Sequence, residues 1–335
     1  MPTTDIDRDV PAGIAALPRF RLIDEPSPLQ RLARLSAALG GGVDIWMKRE
    51  DLLPLAFGGN KLRNLEFLVG AAIAEGGDTL VTSGRRWSNH CRLTAAAGAR
   101  AGLDVHVVLT GPPIEPPGPN HRLDELLGAT VHVAASDRRE DRAALVERVA
   151  ADLQASGRRP FVIAVGGTGP LGAAGQVTAG LEAMRQARAV GVEPRAIVLP
   201  SATGGTQAGV LVGARLAGSA ADVVGIAVAA PADELRPTVA GLLAALEPLA
   251  GISVPATEID LTDDQRGPGY GVRAASADDA AALLARTEGI LVDPIYTAKA
   301  LAGLIAGARD GRLTGPVVFW HAGGTPALFE ELETA

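Results

Sequence analysis

The 335-residue chain predicts an α/β fold built on largely parallel sheet, arranged as two domains or as one domain carrying an insertion. Three observations lead there. Short β-branched apolar runs alternate with Ala/Leu/Arg segments of helical spacing. The runs are apolar throughout instead of at every second residue, as strands covered on both faces require. Hydrophobic residues make up 47% of the chain and aromatic ones only 3%, a small-side-chain composition that lets helices lie close on a sheet.

Along the chain, a proline-rich segment (PRFRLIDEPSPLQRLARL, residues 18–35) precedes the first long helix, LEFLVGAAIAEG at 65–76. Strands then follow at TLVTSG (79–84), DVHVVLTG (104–111), TVHVAA (130–135), PFVIAVGG (160–167), AIVLPSA (196–202), VVGIAVAA (223–230) and PVVFWHAGG (316–324), each bounded by Gly, Pro or another turn former. Helical segments between them include SNHCRLTAAAGARAGL (88–103), REDRAALVERVAADLQASG (139–157) and ADDAAALLARTEG (277–289). TGPPIEPPGPN (110–120) carries five prolines and reads as a surface loop. There is no internal repeat.

Composition excludes several functions. A net charge of −7 and a pI near 5.3 argue against a nucleic-acid or anionic-membrane partner. A single cysteine, Cys91, rules out a disulfide framework. Five histidines without ligand spacing make a metal site unexpected. No basic-then-apolar leader and no run of about 18 apolar residues is present, so a cytoplasmic location is the expectation.

The chemistry is expected at strand ends, where open α/β sheets bind ligands. FGGNKLRN (57–64) places Lys61 in the first turn of a helix, where the helix dipole disfavours a protonated amine. A lysine there either points to water or is wanted neutral. In VLPSATGGTQAGVLVGARL (198–216), Thr203, Gly204, Gly205 and Thr206 stand at a strand–helix turn able to hold a phosphate monoester, though a tight turn is the plainer reading. No Walker or dinucleotide fingerprint occurs. Ser88, Asn89 and His90 occupy a second such turn and also read as a simple helix cap. Gly323 and Gly324 in FWHAGGTPALF form a third. Both tyrosines, Tyr270 in GPGYGV and Tyr296 in VDPIYTAK, lie in turns, which favours a site role over core packing.

As an ordered set, MKREDLLPLAFGGNKLRNLEFL, SNH, TGGTQAG, GPGYGV, DPIYTAKALAGLI and FWHAGGTPALF make the chain resemble the fold-type II pyridoxal-phosphate enzymes, which share a tryptophan synthase β-like fold. The branch it is most similar to holds D-cysteine desulfhydrase and 1-aminocyclopropane-1-carboxylate (ACC) deaminase. The resemblance covers nearly the whole chain. It implies pyridoxal 5'-phosphate as cofactor, Lys61 as the Schiff-base lysine and Cα base, and Asn89 on the cofactor's phenolic oxygen. Ser88 would meet the substrate, Thr203, Gly204, Gly205 and Thr206 the phosphate, and Thr297 the pyridine nitrogen. Tyr270 and Tyr296 would approach the substrate, as would His90, Trp87, Gly167, Ala322 and Gly323. Asn64 would stand near the phosphate.

His90 and Thr297 replace a Gln and a Glu of ACC deaminases, which places the chain on the desulfhydrase side. A hydroxyl at the pyridine nitrogen makes a weaker electron sink than a carboxylate, sufficient when the leaving group takes the electrons. The implied reaction is α,β-elimination from a small β-substituted amino acid, giving pyruvate, ammonia and the leaving group, sulfide if D-cysteine. An ACC deaminase is the nearest alternative; a degenerate cofactor binder and a nucleotide-binding oxidoreductase are more distant ones.

Arg85, Arg86, Trp87, Asn64 and Ala322 depart from the family pattern. They suggest a larger substrate or one with another anionic group, met by Arg85 or Arg86 unless these form a solvated pair. The resemblance further implies a large domain (1–60 and 168–335), an inserted smaller α/β domain (61–167) and a homodimer.

Overall fold

The structure, a computed structural model, describes residues 7, 9–111 and 116–332. Residues 112–115, in the proline-rich segment expected to be a surface loop, lie outside the described residues. The strands among those described are β1 (Leu29–Arg31), β2 (Val43–Arg49), β3 (Thr79–Arg85), β4 (Asp104–Thr110), β5 (Thr130–Val133), β6 (Pro160–Val162), β7 (Ala196–Ser201), β8 (Asp222–Ala227), β9 (Asp260–Thr262) and β10 (Gly315–His321). The helices are α1 (Ala12–Ala15), α2 (Ala33–Ala38), α3 (Lys61–Ala74), α4 (Asn89–Ala101), α5 (Pro119–Leu126), α6 (Arg139–Ala155), α7 (Pro170–Ala189), α8 (Gly205–Leu216), α9 (Ala232–Ala250), α10 (Ala275–Glu288) and α11 (Thr297–Arg309).

Two sheets result. The larger has the order β1-β2-β10-β7-β8-β9 and is parallel except where β1 meets β2. The smaller, β5-β4-β3-β6, is parallel throughout. In the larger sheet the pleat sends Ile197, Leu199, Val318 and Trp320 into a core beneath α7, α8 and α9. Alternate residues Val198, Val317 and Phe319 enter the opposite core beneath α10 and α11. Burial on both faces is why these strands read as unbroken apolar runs.

β1, β2 and β9 are not among the expected strands. Asp44, Lys48 and Arg49 interrupt the apolar run of β2, yet Lys48 is fully buried. Its amine donates to the Ser27 carbonyl (2.6 Å) and Gln186 Oε1 (2.7 Å) and pairs with Glu182. Arg63 completes this buried network with Glu182 Oε1 at 2.7 Å and Glu50 Oε1 at 2.9 Å. Two cations facing two carboxylates leave no uncompensated buried charge. The network fastens β2, α3 and α7 directly behind Lys61.

Candidate active site

Four strand or loop ends converge on one cavity of about 400 Å³. The approach to Lys61 is a left-handed run: Leu55, Ala56, Phe57, Gly58 and Gly59 have φ of 38°, 46°, 66°, 63° and 129°. A Cβ on Gly58 would meet the Asp51 carbonyl oxygen at 2.3 Å, so that position admits only glycine. The Asn60 N–H then donates to the Ala322 carbonyl (3.0 Å), tying the start of α3 to the end of β10. Lys61, the first residue of α3, lines the cavity, and burial lowers its pKa to about 8.

On a second side, β3 hands over to α4. Ser88 is the N-cap and its hydroxyl accepts from the Cys91 N–H (3.2 Å), so the plain capping reading is correct as far as it goes. Ser88, Asn89 and His90 nonetheless all line the cavity. His90 Nε2 lies 2.9 Å from Thr82 Oγ1, whose hydrogen goes to the Ile163 carbonyl (2.9 Å). His90 therefore donates from Nε2, leaving Nδ1 a buried acceptor without a partner among the described residues. Burial and Lys61 hold the His90 pKa down at about 3, so the ring is neutral.

The third side is the β7–α8 turn. Gly204 (φ 80°) is the N-cap of α8 and supplies no side-chain bond to its first-turn N–H groups. Thr203, Gly204 and Thr206 line the cavity, and Ser201 Oγ is buried there without a partner among the described residues. Two residues missed in the sequence brace this turn. Asn60 Nδ2 donates to Thr206 Oγ1 (2.8 Å), and Thr168 donates to Thr203 Oγ1.

The fourth side brings Tyr270, Tyr296, Thr297, Ala322 and Gly323 together. The tyrosine hydroxyls bond each other, and burial raises both pKa values, so both stay protonated near neutrality. Asp293 shapes this wall by accepting from the N–H groups of Ile295 (3.0 Å), Tyr296 (2.7 Å) and Thr297 (3.1 Å). The Thr297 hydroxyl donates to the Gly323 carbonyl (3.2 Å), which leaves its oxygen only an acceptor role.

Some expected site residues lie outside the cavity lining. Asn64 is fully buried, donating to the Gly167 carbonyl (3.1 Å) and accepting from Gln176. Gly167 sits behind its neighbour Gly166, which does line the cavity. Gly205 contributes backbone at the start of α8 but is not part of the lining. Trp87 packs behind Tyr270, edge to face with ring centroids 5.8 Å apart. Arg85 lines the cavity, whereas Arg86 turns away, its guanidinium donating to the Glu331 carbonyl (3.0 Å).

Comparison with known proteins agrees with this geometry. Residues 21–323 match the model of the pyridoxal-phosphate dependent enzyme family. The D-cysteine desulfhydrases of Salmonella typhi and Salmonella newport (strain SL254) are each 40% identical over 324 residues, 94% of this chain and 97% of theirs. A crystal structure of an ACC deaminase homologue superimposes with a TM-score of 0.88 at 33% identity, over 98% of this chain and 97% of that one. The processed form of threonine deaminase isoform 2 from Solanum lycopersicum shares the fold, with a TM-score of 0.68 at 19% identity over 96% of this chain and 84% of that one.

Proposed function

The chain belongs to the pyridoxal-phosphate dependent enzyme family, and on that footing we propose that it is an elimination lyase resembling D-cysteine desulfhydrase. Its substrate would be a small amino acid with a departing β-substituent, its products pyruvate, ammonia and the leaving group. The observation that carries the reading is the enclosed Lys61 amine, set between an uncapped helix N-terminus and the Ser88–Asn89 turn.

The residues fit pyridoxal phosphate. The first-turn N–H groups of α8, with Thr203, Thr206 and the unpartnered Ser201 hydroxyl, suit a phosphate dianion. Asn89 and Thr297 offer polar atoms for the ring, and Lys61 an amine for the aldehyde. When bound, the cofactor supplies a carbonyl that couples to amines and a ring that withdraws electrons from Cα.

The chain supplies the rest. With its pKa near 8, Lys61 is neutral in a useful fraction at physiological pH and can take the Cα proton. Ser88 and the Asn89 backbone, at the start of α4, suit a substrate carboxylate. The protonated tyrosine pair offers a hydrogen to a departing group. Cytoplasmic location and a homodimer are part of the proposal; mass measured by light scattering checks the latter.

Purified protein should absorb near the visible edge, and Lys61→Ala should abolish that band. Pyruvate should appear from β-chloroalanine or a cysteine enantiomer. Turnover of ACC alone would replace the reading by its ring-opening alternative, and a protein that takes up no pyridoxal phosphate would overturn it.

A further inference from the structure

One wall of the cavity is cationic. Arg85, the last residue of β3, lines it together with Arg139 and Arg142 from the first turn of α6. Arg139 and Arg142 are three residues apart and so share a helix face. A helix N-terminus is an unfavourable place for two guanidinium groups.

Among the described residues, the acids nearby pair with only one of these three arginines. Asp137, also in the lining, pairs with Arg85 at 2.5 Å. Glu140 faces Arg138 at 3.6 Å, and Asp141 takes its hydrogen bond from Ser136. Asp293 spends its oxygens on backbone N–H groups. Arg139 and Arg142 thus have no carboxylate within ion-pair distance among the described residues. Burial, then the charges of Arg85 and Arg139, lower the Arg142 pKa, as expected for cations crowded without a counter-ion. An anion placed there would relieve the crowding and accept forked guanidinium hydrogen bonds.

We propose that the cavity takes amino acids whose β-substituent is itself an oxyanion, a sulfonate or a phosphate ester, with Arg142, Arg139 and Arg85 as its cradle. This rests on the elimination chemistry above and names its substrate class. The Cα–H bond breaks with the proton passing to Lys61, and its electron pair forms the Cα–Cβ double bond. The Cβ–S or Cβ–O bond breaks with its pair leaving on sulfite or phosphate. Cysteate plus water gives pyruvate, ammonia and sulfite; O-phosphoserine plus water gives pyruvate, ammonia and phosphate. Neither needs an oxidant or reductant.

The test assays the holoenzyme for pyruvate from both enantiomers of cysteate, O-phosphoserine and cysteine, with β-chloroalanine as an uncharged-leaving-side reference. One oxyanion substrate should exceed cysteine at least tenfold in kcat/KM, and release of sulfite or of phosphate identifies which. Arg142→Gln and Arg139→Gln should each cut the ratio of kcat/KM for that substrate over β-chloroalanine at least 30-fold, mainly through KM, with Arg142→Lys intermediate. Independently of turnover, inorganic sulfite or phosphate should raise the thermal midpoint of the wild-type holoenzyme and not of Arg142→Gln. Pyruvate from β-chloroalanine with cysteine as the best natural substrate, or ratios unmoved by the arginine variants, overturns the inference and leaves the lyase assignment standing. A protein without cofactor absorbance and without pyruvate from any substrate removes both.

Discussion

Arg92 donates to the side-chain oxygen of Asn89 (3.1 Å), that of Asn120 (2.9 Å) and the carbonyl of Gly58 (3.1 Å). Because Asn89 Oδ1 accepts there, its amide NH2 is the half left to serve a ligand. One guanidinium thereby orients the Ser88–Asn89 turn and clamps the approach to Lys61. A hydrogen bond to a charged group contributes about 1.5–3 kcal/mol, so Arg92→Met should weaken pyridoxal phosphate binding roughly 10- to 100-fold, with Arg92→Lys in between. Fluorescence titration of the apoprotein checks this; unchanged affinity in Arg92→Met would leave Arg92 a packing residue. Lys61 makes a second expectation. Its amine reacts only when neutral, so the rate at which apoprotein couples the cofactor should climb as pH rises through about 8 and level off above. A rate still climbing at about pH 10 would contradict the lowered pKa. At this scale the glycine turns and the lysine are legible because their backbone and charge are out of place in a helix start. Arg92 is not, since an arginine inside SNHCRLTAAAGARAGL reads as a solvated helix residue until α4 is seen to be buried around it. Trp87 misleads in the other direction: Ser88, next in sequence, faces the cavity while the Trp87 ring supports Tyr270 from behind.

The helices around the site meet through glycines. A Cβ on Gly175 of α7 would lie 2.0 Å from the Arg63 carbonyl oxygen of α3, and one on Gly213 of α8 would lie 2.4 Å from the Val177 carbonyl oxygen of α7. Backbone cannot retreat as a side-chain tip can, so Gly175→Ala should cost about 2–3 kcal/mol, read as a lower urea midpoint at unchanged slope. It should also loosen cofactor binding, because the move pushes on α3 two residues past Lys61. A midpoint within error of wild type would show that the helices can part freely. This packing explains the low aromatic content noticed first in the composition. It also marks how far elements can be read from pattern: β3, β4, β7, β8 and β10 are apolar on both faces and declare themselves. β2 stays hidden because its buried Lys48 is satisfied from Glu182, 134 positions further along the chain, which Arg63 of α3 also holds. β1 and β9, three residues each, are too short to carry a period.

Across the whole molecule, we propose that the two sheets are two domains divided near residues 60 and 168, with the cofactor clasped between them. Binding to the folded state alone then stabilises it by mass action, about 2.7 kcal/mol at a ligand excess of about 100 times Kd. Thermal unfolding of apoprotein with and without pyridoxal phosphate measures this; equal midpoints would mean that the folded chain does not bind the cofactor preferentially. The order of the larger sheet adds a constraint in time. β10, built from Gly315–His321, lies between β2 and β7, and the residue after it holds Asn60 beside the lysine. During synthesis β2 and β7 leave the ribosome long before the strand that joins them, so the lysine turn lacks its tie to the end of β10 until nearly the whole chain has emerged. Cofactor capture is in this sense a report on completed assembly: a nascent or truncated chain lacking Gly315–His321 should stay colourless however much of the rest has folded.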